Sequence, residues 1–118
     1  MPLFVCYPKC STCRKAEAWL KEHGIPYTVR HIAEDNPTAA ELADWQKRSG
    51  LPLRRFFNTS GQLYRSLSLK ERLPAMGEGE QLALLASNGM LVKRPLLVLS
   101  DRVLVGFSAE AWEAALAE

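Results

Sequence analysis

The chain is short of cysteine: among 118 residues there are three. That number is small and odd, whereas a secreted domain of this size stapled by disulfides carries an even and larger set. Long apolar runs are missing too. The longest strictly apolar stretches reach five residues, as in Leu82–Ala86, and a membrane-spanning helix needs about 20. No basic stretch followed by an apolar core opens the chain, so nothing reads as a secretion signal. There is little excess charge of either sign. Fifteen Lys+Arg against thirteen Asp+Glu leave +2, too weak a balance to argue for direct nucleic-acid contact or an anionic membrane. Internal repeats, Gly/Ser tracts and blocks of like charge are absent, which excludes solenoid, collagen-like and low-complexity chains. What remains is ordinary globular composition, 47% hydrophobic and 24% charged, in a length that builds one core.

The order of elements carries more information. Leu3-Phe4-Val5-Cys6-Tyr7 is a short β-favouring run ended by Pro8. Ser11 to His23 has helical spacing, with Cys13, Ala16, Trp19 and Leu20 on one broad face and Gly24 placed as a cap. Tyr27 to Ile32 reads as a second strand. This β-α-β start implies a right-handed crossover between parallel strands. Helical segments follow: Thr38-Ala39-Ala40-Glu41 fits a capping box, and Leu42, Trp45 and Ser49 continue one face to Gly50. Leu51 to Phe57 holds a helical turn, Asn58 to Gly61 a loop, Ser66 to Leu73 one short helix, and Glu78 to Ser87 another. The end changes character. Pro95–Leu99 and Val103–Phe107 flank the turn Ser100-Asp101-Arg102 as a hairpin, and Ser108 caps a last helix bearing Ala111, Trp112, Ala115 and Leu116. The whole reads as an α/β, thioredoxin-like mixed four-stranded sheet. One domain spans 1–118, its core about 1–32 and 90–118, with a helical insert about 33–89.

All three cysteines fall between residues 6 and 13. Cysteines that serve stability close long loops, and these cannot, so the cluster points to local chemistry in a reducing compartment, the cytoplasm. Cys10-Ser11-Thr12-Cys13 is a C-x-x-C where strand one meets helix one. The unpaired N–H groups and positive end of a helix stabilise a thiolate there, and Lys9 and Arg14 add positive charge. At an ordinary pKa of about 8.5 roughly 3% of a thiol is ionised at pH 7; near 6 the fraction is about 90%. Cys13, one turn on, is placed to resolve a bond formed by Cys10. The plainer alternative is that the cysteines are small apolar fillers, and for Cys6, inside a strand, that reading is favoured. Cys6-x3-Cys10-x2-Cys13 also has the lettering of an iron–sulfur site. The chain is too short for the barrel such enzymes use, and a strand residue suits a loop-held cluster poorly. His23 and His31 show no zinc-ligand spacing to the cysteines, so no metal is expected.

Lys93-Arg94-Pro95 precedes the third strand. A proline there in a thioredoxin-like fold is a candidate cis bond beside the cysteines. Arg94 would come with it, and a guanidinium fork suits an oxyanion; a solvated strand-end arginine is the alternative. Arg54 and Arg55 are basic as well, but adjacent helical residues point in different directions, and surface charge is the default for both.

The run Tyr7-Pro8-Lys9-Cys10-Ser11-Thr12-Cys13-Arg14-Lys15-Ala16, with Lys93-Arg94-Pro95 far downstream, resembles the ArsC/Spx family of thioredoxin-like proteins. Asn36-Pro37, Gly50-Leu51-Pro52, Phe57–Gly61 and Val105-Gly106-Phe107 extend the likeness along nearly the whole chain. In one branch it implies cytoplasmic arsenate reductases with no bound cofactor, drawing electrons from glutathione and glutaredoxin or from thioredoxin. Cys10 would be the nucleophile and Cys13 a resolving thiol. Ser11, Thr12 and Arg14 would surround the oxyanion, with Arg94 closing over it. That branch uses two further arginines; Asn58 stands in place of one, and the other falls near Gly106-Phe107, where no arginine occurs. The second branch, the Spx type, implies a redox-sensing regulator that binds the RNA polymerase α subunit, and Cys13 favours it. A generic thiol–disulfide oxidoreductase is the third expectation.

Overall fold

A computed structural model describes residues 1–116; the last two positions of the expected core range lie outside the described residues. The elements are β1 (Leu3–Cys6), α1 (Ser11–Glu22), β2 (Thr28–His31), α2 (Ala39–Ser49), α3 (Gln62–Ser66), α4 (Leu69–Arg72), α5 (Glu78–Ser87), β3 (Leu96–Val98), β4 (Val103–Val105) and α6 (Ala109–Leu116). Short 3₁₀ turns lie at Leu53–Phe56, Leu73–Ala75 and Gly89–Leu91. The sheet order is β2-β1-β3-β4, with β1 and β2 parallel and the other two pairings antiparallel. This is the thioredoxin-like mixed sheet that the element order implies.

The period of two along a strand divides the protein into two cores. Phe4 and Cys6 of β1 and Leu97 of β3 face α1 and α6, where Cys13, Ala16, Trp19, Leu20 and Trp112 complete one cluster. Val5 and Leu96 point the other way, into the α2–α5 insert, packing with Ile32, Leu42, Trp45, Phe56, Phe57, Leu69 and Leu85. Each face of the central strands is thereby covered.

Local signals set several boundaries. Thr38 accepts from the Glu41 N–H, and the Glu41 carboxylate accepts from the Thr38 N–H, so the capping box opens α2. Gly50 ends α2 with φ +71°, a conformation that costs glycine little. The single helix expected over Ser66–Leu73 is a correction: the chain forms α3 and α4, separated by Ser68 at φ 53°. At about 100° per residue, Leu67 and Leu69 would sit some 200° apart on one straight helix. The break lets Leu63 and Leu67 pack on the same core that buries Leu69 and Leu73.

The insert is tied to the site by a short ladder. Phe57 bridges Val92, the Asn58 N–H donates to the Leu91 carbonyl at 2.8 Å, and the Lys93 N–H donates to the Phe56 carbonyl at 2.7 Å. These bonds deliver Arg94 and Pro95 to the edge of the C-x-x-C.

Candidate active site

Cys10 is the N-cap of α1, with extended φ −88° and ψ 122°. Its N–H donates to the Tyr7 carbonyl and its carbonyl accepts from the Arg14 N–H, both at 3.0 Å. Pro8 and Lys9 form the turn between, so the strand end and the helix start are locked together. Cys10 is half-buried, while Cys13 is buried, and its Sγ accepts the Tyr7 N–H at 3.4 Å. All three cysteines are free thiols.

The environment separates the three thiols. Burial opposes ionisation of Cys10, but the Cys13 N–H, the Cys13 thiol and the Arg94 guanidinium all favour the thiolate, and the net displacement is downward. Cys13 is pushed up to about 12, by burial first and then by its bond to Cys10 and the charge there, against the opposing help of the Tyr7 N–H. Burial, with Glu17 and Cys10 adding repulsion, pushes Cys6 up to about 11. The arrangement is asymmetric: a half-buried thiol whose ionisation its neighbours favour, a buried thiol bonded to it, and an inert thiol in the sheet.

The Arg94–Pro95 peptide is cis. The Gly106 N–H donates to the Pro95 carbonyl at 2.8 Å from a backbone at φ +75°, which holds the proline against β4. Arg94 is half-buried; its Cζ stands 5.2 Å from the Tyr7 ring centroid, and one Nη lies 4.0 Å from the Met90 sulfur. The rest of its fork can serve an anion beside Cys10.

Of the other residues singled out from sequence, Ser11 and Thr12 are exposed in the first turn of α1. Arg14 reaches back, its Nε donating to the Pro8 carbonyl at 3.1 Å, and so clamps the loop carrying Cys10. The Asn58 side chain belongs to the neighbouring turn, where its Oδ1 accepts from the Ser60 hydroxyl at 3.2 Å. Arg54 and Arg55 line a cleft of about 520 Å³ in the insert with Tyr64, Lys70 and Met76; neither thiol borders it. The fold therefore brings Cys10, Cys13 and Arg94 together, with Pro95 following the arginine through the cis bond, and turns Arg14 and Asn58 to loop contacts. Sequence reasoning missed Tyr7 as a site residue. Its only signal was its place at the end of a strand, three residues before Cys10. Among the described residues no group of three or more His, Cys, Asp or Glu could hold a metal ion, and no helix is long and apolar enough to cross a membrane.

A C-x-x-C at a helix start and a cis-proline leading into β3 of a mixed four-stranded sheet place the chain among thioredoxin-like proteins. Its insert and Arg94 narrow the class further, and a model of the ArsC family matches residues 6–115; the chain belongs to that family. It is 54% identical over 110 residues to YusI of Bacillus subtilis, covering 93% of each chain. It is 32% identical to the global transcriptional regulator Spx of Staphylococcus haemolyticus, over 87% of this chain and 77% of that one. Among solved structures, an ArsC-family-related protein from Bacteroides fragilis superposes with a TM-score of 0.94 at 57% identity, covering 96% of this chain and 95% of that one. A "possible arsenate reductase" from Streptococcus mutans does so with a TM-score of 0.84 at 46% identity, covering 91% of each.

Proposed function

We propose that the protein is a cytoplasmic thiol oxidoreductase that reduces arsenate to arsenite with the Cys10–Cys13 pair. The observation that carries this reading is the pairing of a half-buried Cys10, bonded by Cys13 and Arg94 in a way that favours its ionisation, with a buried Cys13 thiol, the arginine being the residue that precedes a cis-proline. The Cys10 thiolate attacks arsenic and an arsenate oxygen leaves as water, giving a sulfur–arsenic bond. The N–H groups of the first turn, the Ser11 and Thr12 hydroxyls and the Arg94 fork stabilise the oxyanion, with Arg14 setting the loop. Once Cys10 is bonded to arsenic its negative charge is gone, which removes one of the causes that keep Cys13 protonated. The Cys13 sulfur then attacks the Cys10 sulfur. The electron pair of the sulfur–arsenic bond passes to arsenic, the Cys13 proton leaves with arsenite, and a Cys10–Cys13 disulfide remains. Two electrons from thioredoxin, or from glutathione with glutaredoxin, restore the dithiol, so no cofactor is bound.

The test is arsenate-dependent NADPH consumption with each donor system. Cys10→Ser should abolish turnover; Cys13→Ser should abolish the thioredoxin-coupled reaction and leave any glutathione-coupled reaction working. Near-wild-type activity in Cys10→Ser would sink the assignment. The likeness to Spx supports a second reading, a redox switch on transcription. It expects no arsenate turnover and a redox-dependent pull-down of the RNA polymerase α subunit.

A further inference from the structure

Arg94 reaches the site from the far side of the insert ladder, and as a long flexible side chain it needs something to hold it there. Among the described residues it forms no ion pair with a carboxylate. Apart from Cys10 itself, its side-chain contacts are the Met90 sulfur at 4.0 Å and the face of Tyr7, with Cζ 5.2 Å from the ring centroid. That distance is within the range where a guanidinium is attracted to the negative face of an aromatic ring. The Tyr7 ring is itself held. It packs against the insert core, and the His31 ring meets it edge-on with centroids 5.6 Å apart. His31 is fixed in turn, its Nδ1 accepting the N–H groups of Ala33 and Glu34 at 3.1 Å each. The backbone of the same tyrosine touches both working cysteines: its carbonyl accepts the Cys10 N–H, and its N–H donates to the Cys13 sulfur.

We propose that Tyr7 is a positioning residue: its ring is the platform that holds the Arg94 guanidinium beside the Cys10 sulfur, so that one side chain at the end of β1 links the arginine to the nucleophile. The inference rests on Cys10 being the working thiolate of the reaction above, and it adds the group that places the cation. The ring acts through its π face, so the phenol oxygen is dispensable. An ion pair would have served the geometry equally well, but a carboxylate so near Cys10 would repel the thiolate. An aromatic face orients the guanidinium without adding negative charge, and leaves the fork's donors free for the oxyanion.

The experiment reads the thiolate directly, without arsenate. The full chain is alkylated with iodoacetamide from pH 5 to 9, and the adduct on Cys10 is located by mass spectrometry. The charged and titratable groups facing Cys10 are Cys13, Arg94 and Cys6. His31 and Glu34 lie behind Tyr7, so a parallel series in a His31→Asn background excludes an effect carried by the imidazole. Tyr7→Phe should match wild type. Tyr7→Leu should raise the midpoint and lower the alkylation rate at pH 6 by about 3- to 10-fold. Because Tyr7→Leu can also loosen the core, phenylalanine carrying increasing numbers of ring fluorines is placed at position 7. This keeps the shape, weakens the π face stepwise, and should raise the midpoint stepwise. Arg94→Met sets the upper limit, and adding Tyr7→Leu to it should change nothing more. A Tyr7→Leu or fluorinated variant that titrates like wild type overturns the proposal, and so does an equal shift in the Arg94→Met background. A wild-type midpoint at the ordinary thiol value, unmoved by Arg94→Met, is a different failure: it overturns the activated-thiolate reading and the platform with it.

Discussion

Replacing Trp112 tests the idea that α6 supports the site by aromatic packing under α1. Trp112 is 1% exposed. Its ring makes edge contacts with Phe107, Trp19 and Phe4 at centroid distances of 4.9, 5.9 and 6.4 Å, and its Nε1 donates to the Gly106 carbonyl at 3.1 Å. Trp112→Ala removes the ring and the hydrogen bond together and should cost about 3–5 kcal/mol. Against a total stability of about 5–15 kcal/mol that is a large share. With about 4 °C per kcal/mol for a domain of this size, Tm should fall by roughly 12–20 °C. Trp112→Phe keeps much of the packing but leaves the Gly106 carbonyl without its donor, a loss of about 1–2 kcal/mol and roughly 4–8 °C. Both are read by calorimetry under reducing conditions. Cys13 shares this core, so Trp112→Ala should also let iodoacetamide reach a thiol that resists it in the wild type. A Trp112→Ala melting point within about 4 °C of wild type would refute the reasoning. A Trp112→Phe variant indistinguishable from wild type would refute the part assigned to the hydrogen bond.

Three further predictions concern the frame around the site. A side chain on Gly89 would run into the Ile32 carbonyl oxygen and Asn36 Oδ1, whereas one on Gly79 would meet open space. Gly89→Ala should therefore cost about 1–3 kcal/mol in urea denaturation, while Gly79→Ala, inside α5, should gain about 0.5–1 kcal/mol. Glu41 is held at about 2, chiefly by the hydrogen bonds from Arg30 and against a smaller opposing effect of burial. A depressed carboxylate contributes stability that is fully present above its unfolded value, near 4.5, and lost as pH falls through about 2. Its side chain is 37% exposed, so solvent screening leaves about 1 kcal/mol. Glu41→Gln should lower the urea midpoint at pH 7, and its difference from wild type should shrink between pH 5 and 2. Ser68→Gly should raise Tm by about 2–4 °C, because the left-handed φ at that position strains any residue with a Cβ.

Much of the frame was legible from local patterns. β1, α1 and β2 follow from the short β-favouring run at Leu3, the face from Cys13 to Leu20, and the Pro26 break, and the capping box at Thr38 marks the start of α2. The hairpin is flagged by Ser100-Asp101-Arg102, where the Leu99 N–H donates to the Arg102 carbonyl at 2.8 Å. Ser66–Leu73 misled because its own residues favour a helix, while the two apolar pairs around Ser68 must turn to reach one core. Within the site, the C-x-x-C was legible as a motif, and Arg94-Pro95 as a candidate only. The Tyr7 ring left no trace beyond its position, since a tyrosine at a strand end is ordinary.

The sequence by itself determined that Cys10 starts a helix and that Cys13 lies one turn on its apolar face. Those facts depend on neighbours within a few residues, and helix geometry supplies the rest. Only the tertiary structure decided which cations serve the thiolate. Lys9 and Arg14 lie within four residues of Cys10 in sequence, yet Arg14 is spent on the Pro8 carbonyl. Arg94, more than eighty residues away, is brought to the sulfur by the Phe57–Val92 bridge, the cis-proline and the face of Tyr7. Charge acts through distance in space, and the distances around Cys10 are set by β3 pairing with β1.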